Sequence, residues 1–302
     1  MFKKAIISIS LMALTTSSFA QESLIINAYN RLTTSLNDNW RYIVDPYENG
    51  YYNYRYEPFD QQDNPAKAAF FLNSKPDNSS DLVEYNFDKM DTISVPGDWN
   101  TQKENLFYYE GTLWYKKSFD YVLTKKSNRV FVYFEASNYK TEVYFNGQKL
   151  GIHLGGFTPF NFEVTKLLKQ TDNFLIVKVD NKRIKEGVPT LNTDWWNYGG
   201  LTREVKLVET SENFIQDYFI QLDPNDNRKI KGYVILNGVN VAHQNVQIHI
   251  PQLNIKKTLV TEKDGLVSFE IASNKIKYWT VEDPILYKVS LQTEEDEITD
   301  QI

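Results

Sequence analysis

The sequence contains no cysteine, so neither a disulfide framework nor a thiolate metal site is open to it. Stability has to come from buried cores, and 302 residues are enough for two of them. Histidine is scarce: His153, His243 and His249 show no zinc-ligand spacing. His153 precedes Gly155-Gly156 in what reads as a surface loop, and the other two read as surface positions of a second domain. No Gly-x-Ser-x-Gly elbow, phosphate loop or dinucleotide fingerprint occurs, and no cofactor is implied. Positive charge is in deficit, with a formal net charge of −6, which argues against a nucleic-acid partner. Long apolar runs are missing as well. Ile6–Leu14, the most apolar stretch, is far too short to cross a bilayer, so no membrane insertion is expected.

That short run has a different reading. Lys3-Lys4 precede it and Ser18-Phe19-Ala20 follow it, the pattern of a secretory signal over residues 1–20 with a small-x-small cleavage site. Removing it takes away two positive charges. No cysteine follows it to carry a lipid, so the expected product is a soluble exported protein, periplasmic or alternatively secreted.

What is abundant is aromatic: 15% of residues, 20 of them tyrosine. Such side chains favour strands and also carbohydrate surfaces. Strand signals dominate from Val95 onward. Arg129–Ala136 is apolar on both faces, as in a strand buried within a sandwich. Thr141–Phe145 and Gln148–Ile152 flank Asn146-Gly147, a strong hairpin signal because both central residues of a type I′ turn need positive φ. Phe174–Val179 and Glu204–Val208 add strands, and the whole reads as an all-β, jelly-roll β-sandwich over residues 21–210. Tyr51–Ser80, rich in Tyr, Asn, Asp and Pro, reads as a surface insertion or, alternatively, a substrate-shaping loop, with a helical turn or two at Ala66–Leu72. From residue 211 the pattern restarts. Phe214–Leu222, Ile230–Leu236, Val246–Ile250, Val267–Ile271 and Tyr287–Gln292 read as strands of an immunoglobulin-like β-sandwich over residues 211–302. Glu294–Glu297 reads as a solvated turn or strand end.

One stretch concentrates binding chemistry: Asp194-Trp195-Trp196-Asn197-Tyr198-Gly199-Gly200-Leu201-Thr202-Arg203. A carboxylate accepts hydrogen bonds from neighbouring hydroxyls while aromatic rings cover the C–H face of a pyranose. The alternative for the same residues is core tryptophans and an Asp that caps a turn. Gly199-Gly200 reads as a tight turn with positive φ. Trp99 and Trp114 are expected in the core, Asp98 and Glu110 as solvated or turn charges, and Arg203 in an ion pair inside the sandwich, with a substrate contact as its alternative.

Six blocks in order resemble the N-terminal half of glycoside hydrolase family 2, the family of β-galactosidases, β-glucuronidases and β-mannosidases. They are Val95-Pro96-Gly97-Asp98-Trp99-Asn100, Tyr109–Tyr115, Val143–Gly147, Gly155-Gly156-Phe157-Thr158-Pro159-Phe160, Asp194–Arg203, and Trp279 with Asp283–Tyr287. The fourth and fifth look most like the β-glucuronidase branch. The resemblance implies that Asp194 accepts hydrogen bonds from the hydroxyls of a β-linked glycan, with Asn197 and Tyr198 lining the same pocket. Retaining glycosidases use two carboxyl groups, about 5–5.5 Å apart. In this family both glutamates sit on a following barrel of about 250 residues, one in an Asn-Glu pair. These 302 residues contain no Asn-Glu dipeptide. The expectation is therefore the non-catalytic portion of an exported exo-β-glycosidase, inactive by itself. The alternatives are a carbohydrate-binding or interaction module, or a non-functional remnant. Homo-oligomerisation is left open.

Overall fold

The computed structural model describes residues 23–78, 80 and 85–302. The signal-type segment 1–20 lies outside them. Among the described residues, strands pair antiparallel into four sheets that stack as two sandwiches. The first is built from β1 (Leu32–Ser35), β2 (Asp38–Val44), β3 (Thr92–Val95), β4 (Thr112–Phe119), β5 (Arg129–Phe134), β6 (Lys140–Phe145), β7 (Gln148–Leu154), β8 (Phe160–Glu163), β9 (Asn173–Asp180) and β10 (Val205–Thr210). Its sheets run β1-β10-β5-β8 and β3-β2-β4-β9-β6-β7. The second is built from β11 (Phe214–Leu222), β12 (Lys229–Asn237), β13 (Asn245–Ile250), β14 (Ile255–Val260), β15 (Leu266–Ala272), β16 (Lys288–Gln292) and β17 (Glu297–Gln301). Its sheets run β11-β12-β15 and β14-β13-β16-β17. The expected all-β architecture, a jelly roll followed by an immunoglobulin-like sandwich, is what the chain adopts. β14 and β17 were not anticipated, because their charged residues dilute the apolar alternation.

Side-chain direction follows the period of two that a strand imposes. In the first sandwich Leu113, Tyr115, Val143, Phe145, Leu175 and Val177 point between the sheets, around Trp40 and Trp99. Between β6 and β7, Asn146 (φ 49°) and Gly147 (φ 85°) form the expected tight turn. The second core is aliphatic, with Phe269 among Ile, Val and Leu.

The neighbours of those inward residues overturn one expectation. Trp114, Tyr144 and Ile176 point outward from the six-stranded sheet, and the segment around residues 45–90 covers them with Tyr51, Phe59, Phe70, Phe71 and Phe87. Phe71 stacks on Tyr144 at 4.7 Å. This segment is a third apolar layer rather than a surface insertion. Its only helical turn near the expected place is a short 3-10 turn, Phe70–Leu72. Under it lies an ion cluster. Lys149 reaches Asp60 and Glu142 at 2.6 Å each, and Lys178 reaches Glu48 at 2.8 Å and Glu142 at 3.2 Å. Burial pushes the Glu142 carboxyl up, but Lys178, Lys149 and Lys140 outweigh it and hold it down at about 2.

The acidic run near the end of the chain is also more than a solvated turn. Asp296 pairs with Arg31 at 3.1 Å, and Glu295 accepts from the Asn213 side chain at 2.7 Å. The Arg31–Asp296 pair joins the two sandwiches, alongside Phe131 against Phe214 at 5.7 Å. In the second sandwich Tyr278, Trp279, Leu286 and Tyr287 line an apolar cleft of about 450 Å³. Trp279 remains 57% exposed there.

Candidate functional site

The Asp194–Arg203 stretch crosses one end of the first sandwich, between β9 and β10. Its two glycines do different jobs. Gly200 has the positive φ, 135°, and exchanges backbone hydrogen bonds with Asn138: N–H to carbonyl at 2.9 Å one way and 3.1 Å the other. Gly199 is needed for space, since a Cβ there would sit 2.1 Å from the Trp99 ring. Trp99 and Trp114 are fully buried, as expected. Trp99 opens a one-turn helix, Trp99–Gln102, whose N-terminus is capped by Asp98 through the Thr101 N–H at 2.7 Å. Asp98 is thus a cap.

Asn100, 2% exposed, ties the neighbouring loops together. Its Oδ1 accepts from the Gly199 N–H at 3.0 Å, and its Nδ2 donates to the carbonyls of Leu106, Phe107 and Tyr109 at 3.0–3.2 Å. This places Phe107 and Tyr108 beside Trp196, with ring centres 4.9 and 5.5 Å away. Between these loops is a cleft of about 140 Å³ lined by Asn100, Tyr108, Glu110, Arg183, Trp196 and Asn197.

Arg183 organises the approach to Asp194. Its Nε donates to Glu110 at 2.9 Å, Nη1 to the Thr193 carbonyl at 2.8 Å and hydroxyl at 2.9 Å, and Nη2 to the Trp195 carbonyl at 3.2 Å. The planar fork of one guanidinium therefore grips the backbone on both sides of Asp194. Asp194 itself is exposed, and its carboxylate makes no ion pair or hydrogen bond among the described residues. A fixed backbone with a free carboxylate is what hydroxyl recognition requires.

Asn197 lies in the same place but in another role. It is 4% exposed. Its Nδ2 donates to the Asn181 carbonyl, its Oδ1 accepts from Asn138 at 3.1 Å, and its own carbonyl accepts from Asn181 at 2.8 Å. The amide lines the cleft while holding the loop. Tyr198 is 46% exposed, packs on Trp196 at 6.2 Å, and accepts at its carbonyl from Asn138.

Two expectations fail here. Arg203 is exposed and makes no ion pair among the described residues; it precedes β10 beside the equally exposed Glu204. His153 is buried in β7, stacked on Phe160 at 4.1 Å, with its Nε2 3.3 Å from the Thr158 hydroxyl. Burial pushes its pKa down. Arg183, Asn100, Asn138 and Tyr108 were not singled out as site residues, since each acts through contacts with residues remote in sequence.

Residues 34–211 match the family model described as glycosyl hydrolases family 2, sugar binding domain. A putative beta-glucuronidase of Formosa agariphila is 28% identical over 221 residues, covering 69% of this chain and 27% of that protein. A beta-galactosidase of Thermoanaerobacter pseudethanolicus is 26% identical over 249 residues, covering 74% and 32%. The fold is shared with the beta-glucuronidase of Bifidobacterium dentium complexed with coumarin-3-O-glucuronide, at a TM-score of 0.71 and 22% identity, over 94% of this chain and 48% of that one. The chain thus spans between a quarter and a third of those two curated relatives. With the family model covering more than half of its residues, the chain belongs to glycosyl hydrolases family 2, its first sandwich being the family's sugar-binding domain.

Proposed function

We infer that this chain recognises the terminal sugar of a β-linked glycan, as the sugar-binding portion of a glycosidase of β-glucuronidase type. The observation that carries this reading is the Asp194 carboxylate, exposed and unpartnered among the described residues on a backbone that Arg183 holds at Thr193 and Trp195. Asp194 accepts hydrogen bonds from sugar hydroxyls, Asn197 keeps the loop in place, and the Tyr198 phenol offers a further hydroxyl at the rim. The Gly155–Phe160 and Asn197–Arg203 blocks favour β-glucuronidase chemistry over β-galactosidase chemistry. Bond cleavage is assigned to two glutamates of a catalytic barrel that these 302 residues do not contain. By themselves they are expected to bind and not to hydrolyse. Lys3-Lys4, Ile6–Leu14 and Ser18-Phe19-Ala20 support export to the periplasm, with the medium as second choice.

Titration calorimetry with methyl β-D-glucuronide and methyl β-D-galactoside tests the reading. A hydrogen bond to a charged acceptor is worth about 1.5–3 kcal/mol, so Asp194→Asn should weaken binding by roughly 10-fold or more. Equal affinity in the variant, or no heat at millimolar glycoside, removes it.

A further inference from the structure

Apart from the Tyr198 phenol, the rings beside the cleft are a surface that hydroxyl recognition by Asp194 does not use. Trp196 sits at their centre, against Phe107, Tyr108 and Tyr198. The Tyr108 plane lies 39° from that of Trp196, and the Tyr198 plane 32°. The three make a shallow row instead of an interdigitated core. All remain open to solvent: Tyr108 is 83% exposed, Tyr198 46% and Trp196 38%. Exposed apolar area of this kind forgoes about 25 cal/mol per Å², and contiguous patches of it mark binding sites.

What surrounds the rings identifies the ligand chemistry. Along their edge the cleft presents Glu110 and Arg183, a carboxylate and a guanidinium 2.9 Å apart. At about 140 Å³ the cleft is well below the roughly 300–1,000 Å³ of a pocket that encloses its ligand. It accepts an edge, while the face of the ligand must lie outside it. A pyranose has this division: an apolar C–H face for an aromatic ring and a hydroxyl rim for charged donors and acceptors. Asp194 and Trp196 are two residues apart, at most ~7 Å between their Cα atoms, the scale of one sugar ring to the next.

We propose that Tyr108 and Trp196 form a stacking subsite for the second sugar ring of a β-linked oligosaccharide, with the hydroxyl rim of that ring turned to Glu110 and Arg183. The inference rests on the reading that Asp194 holds the terminal ring. The chain then reads two consecutive sugars, the first by hydrogen bonding and the second by stacking.

The test is calorimetry on the full chain with two probes sharing a terminal sugar: methyl β-D-glucuronide and a β-1,4-linked disaccharide ending in the same glucuronosyl residue. The wild type should bind the disaccharide about 10-fold more tightly, the upper end of what an aromatic contact supplies. Trp196→Ala and Tyr108→Ala should each bring that ratio towards one, while Trp196→Phe keeps most of it. Circular dichroism establishes that each variant is folded. A wild type that does not distinguish the two probes, or alanine variants that keep the full ratio, overturns the subsite. If Asp194→Asn leaves both affinities intact while the ratio still depends on Trp196, the terminal-ring reading fails and the stacking subsite stands. If neither probe binds the wild type at millimolar concentration, both fail.

Discussion

Among the places in the first sandwich that set a carboxylate and a cation beside aromatic rings, one lies under the third layer and one at the cleft, and they end in opposite states. At one, the side chains of Glu142 and Lys178 are 1% and 3% exposed, with Lys178 only 3.9 Å from the centre of the Tyr51 ring. At the other, the side chains of Glu110 and Arg183 are 35% and 20% exposed, beside Tyr108 and Trp196. The ingredients match. The difference is what lies above them: residues around 45–90 seal the first, and the second is only partly covered by the cleft walls. A sealed pair serves the protein's own cohesion, because removing either partner strands a charge away from water. An open pair keeps donors and acceptors for a ligand, and contributes little to stability because water screens it.

The contrast is broken most severely at the sealed pair. Glu142→Ala leaves Lys178 and Lys149 short of a partner and should cost about 3–5 kcal/mol, read as a lower denaturant midpoint at unchanged slope. The same linkage has a pH signature in the wild type. Because the folded-state pKa of Glu142 is depressed to about 2 from a usual 4.5, its contribution is fully present above pH 4.5. It is lost as pH falls through the interval down to about 2. Glu142→Gln should flatten that part of the stability profile, and an unchanged acid limb would show that the cluster does not hold the segment down.

Gly199→Ala probes the join between core and site. A methyl 2.1 Å from the Trp99 ring must displace the ring or the loop, at about 1–3 kcal/mol. Since Gly199 also donates to Asn100, the displacement should reach the site and weaken glycoside binding together with stability. Loss of stability with binding intact would separate the two.

The smallest effect on stability is expected at the open pair. Arg183→Ala should change the unfolding free energy by less than about 1 kcal/mol. It should nonetheless reduce affinity for methyl β-D-glucuronide several-fold, because the backbone around Asp194 loses its grip at Thr193 and Trp195. A variant that unfolds readily would mean that Arg183 belongs with the sealed type.

The parts of this protein that were legible beforehand are those governed by local rules. Unbroken burial along Val130–Phe134, the positive φ of Asn146-Gly147 and the restart of strands at Phe214 all follow from neighbours in the chain. Trp99 and Trp114 are buried as expected, although Trp99 opens a helix and Trp114 faces outward from its sheet, under the third layer. The misreadings share the opposite property. The segment around Tyr51–Ser80 looked like surface because its aromatics have no strand period, yet Tyr51, Phe59, Phe70 and Phe71 bury against Trp114 and Tyr144, far along the chain, while Tyr54 and Tyr56 stay exposed. His153 looked exposed beside two glycines, but its ring meets Phe160 from another strand. Arg203 looked like an ion-pair partner and has none among the described residues.

The sequence by itself determined the all-β architecture, the family and the concentration of carboxylate, indole and phenol at Asp194–Tyr198, since each depends on residue types and short spacings. Only the tertiary structure decided which polar groups stay available. Asn197 and Asp194 are three residues apart, yet one amide is held by Asn138 and Asn181 while the neighbouring carboxylate remains free. The physical reason is that hydrogen bonding and desolvation depend on what packs against a group. For Asn197 and Arg183 those partners arrive from positions 10 to 73 residues away.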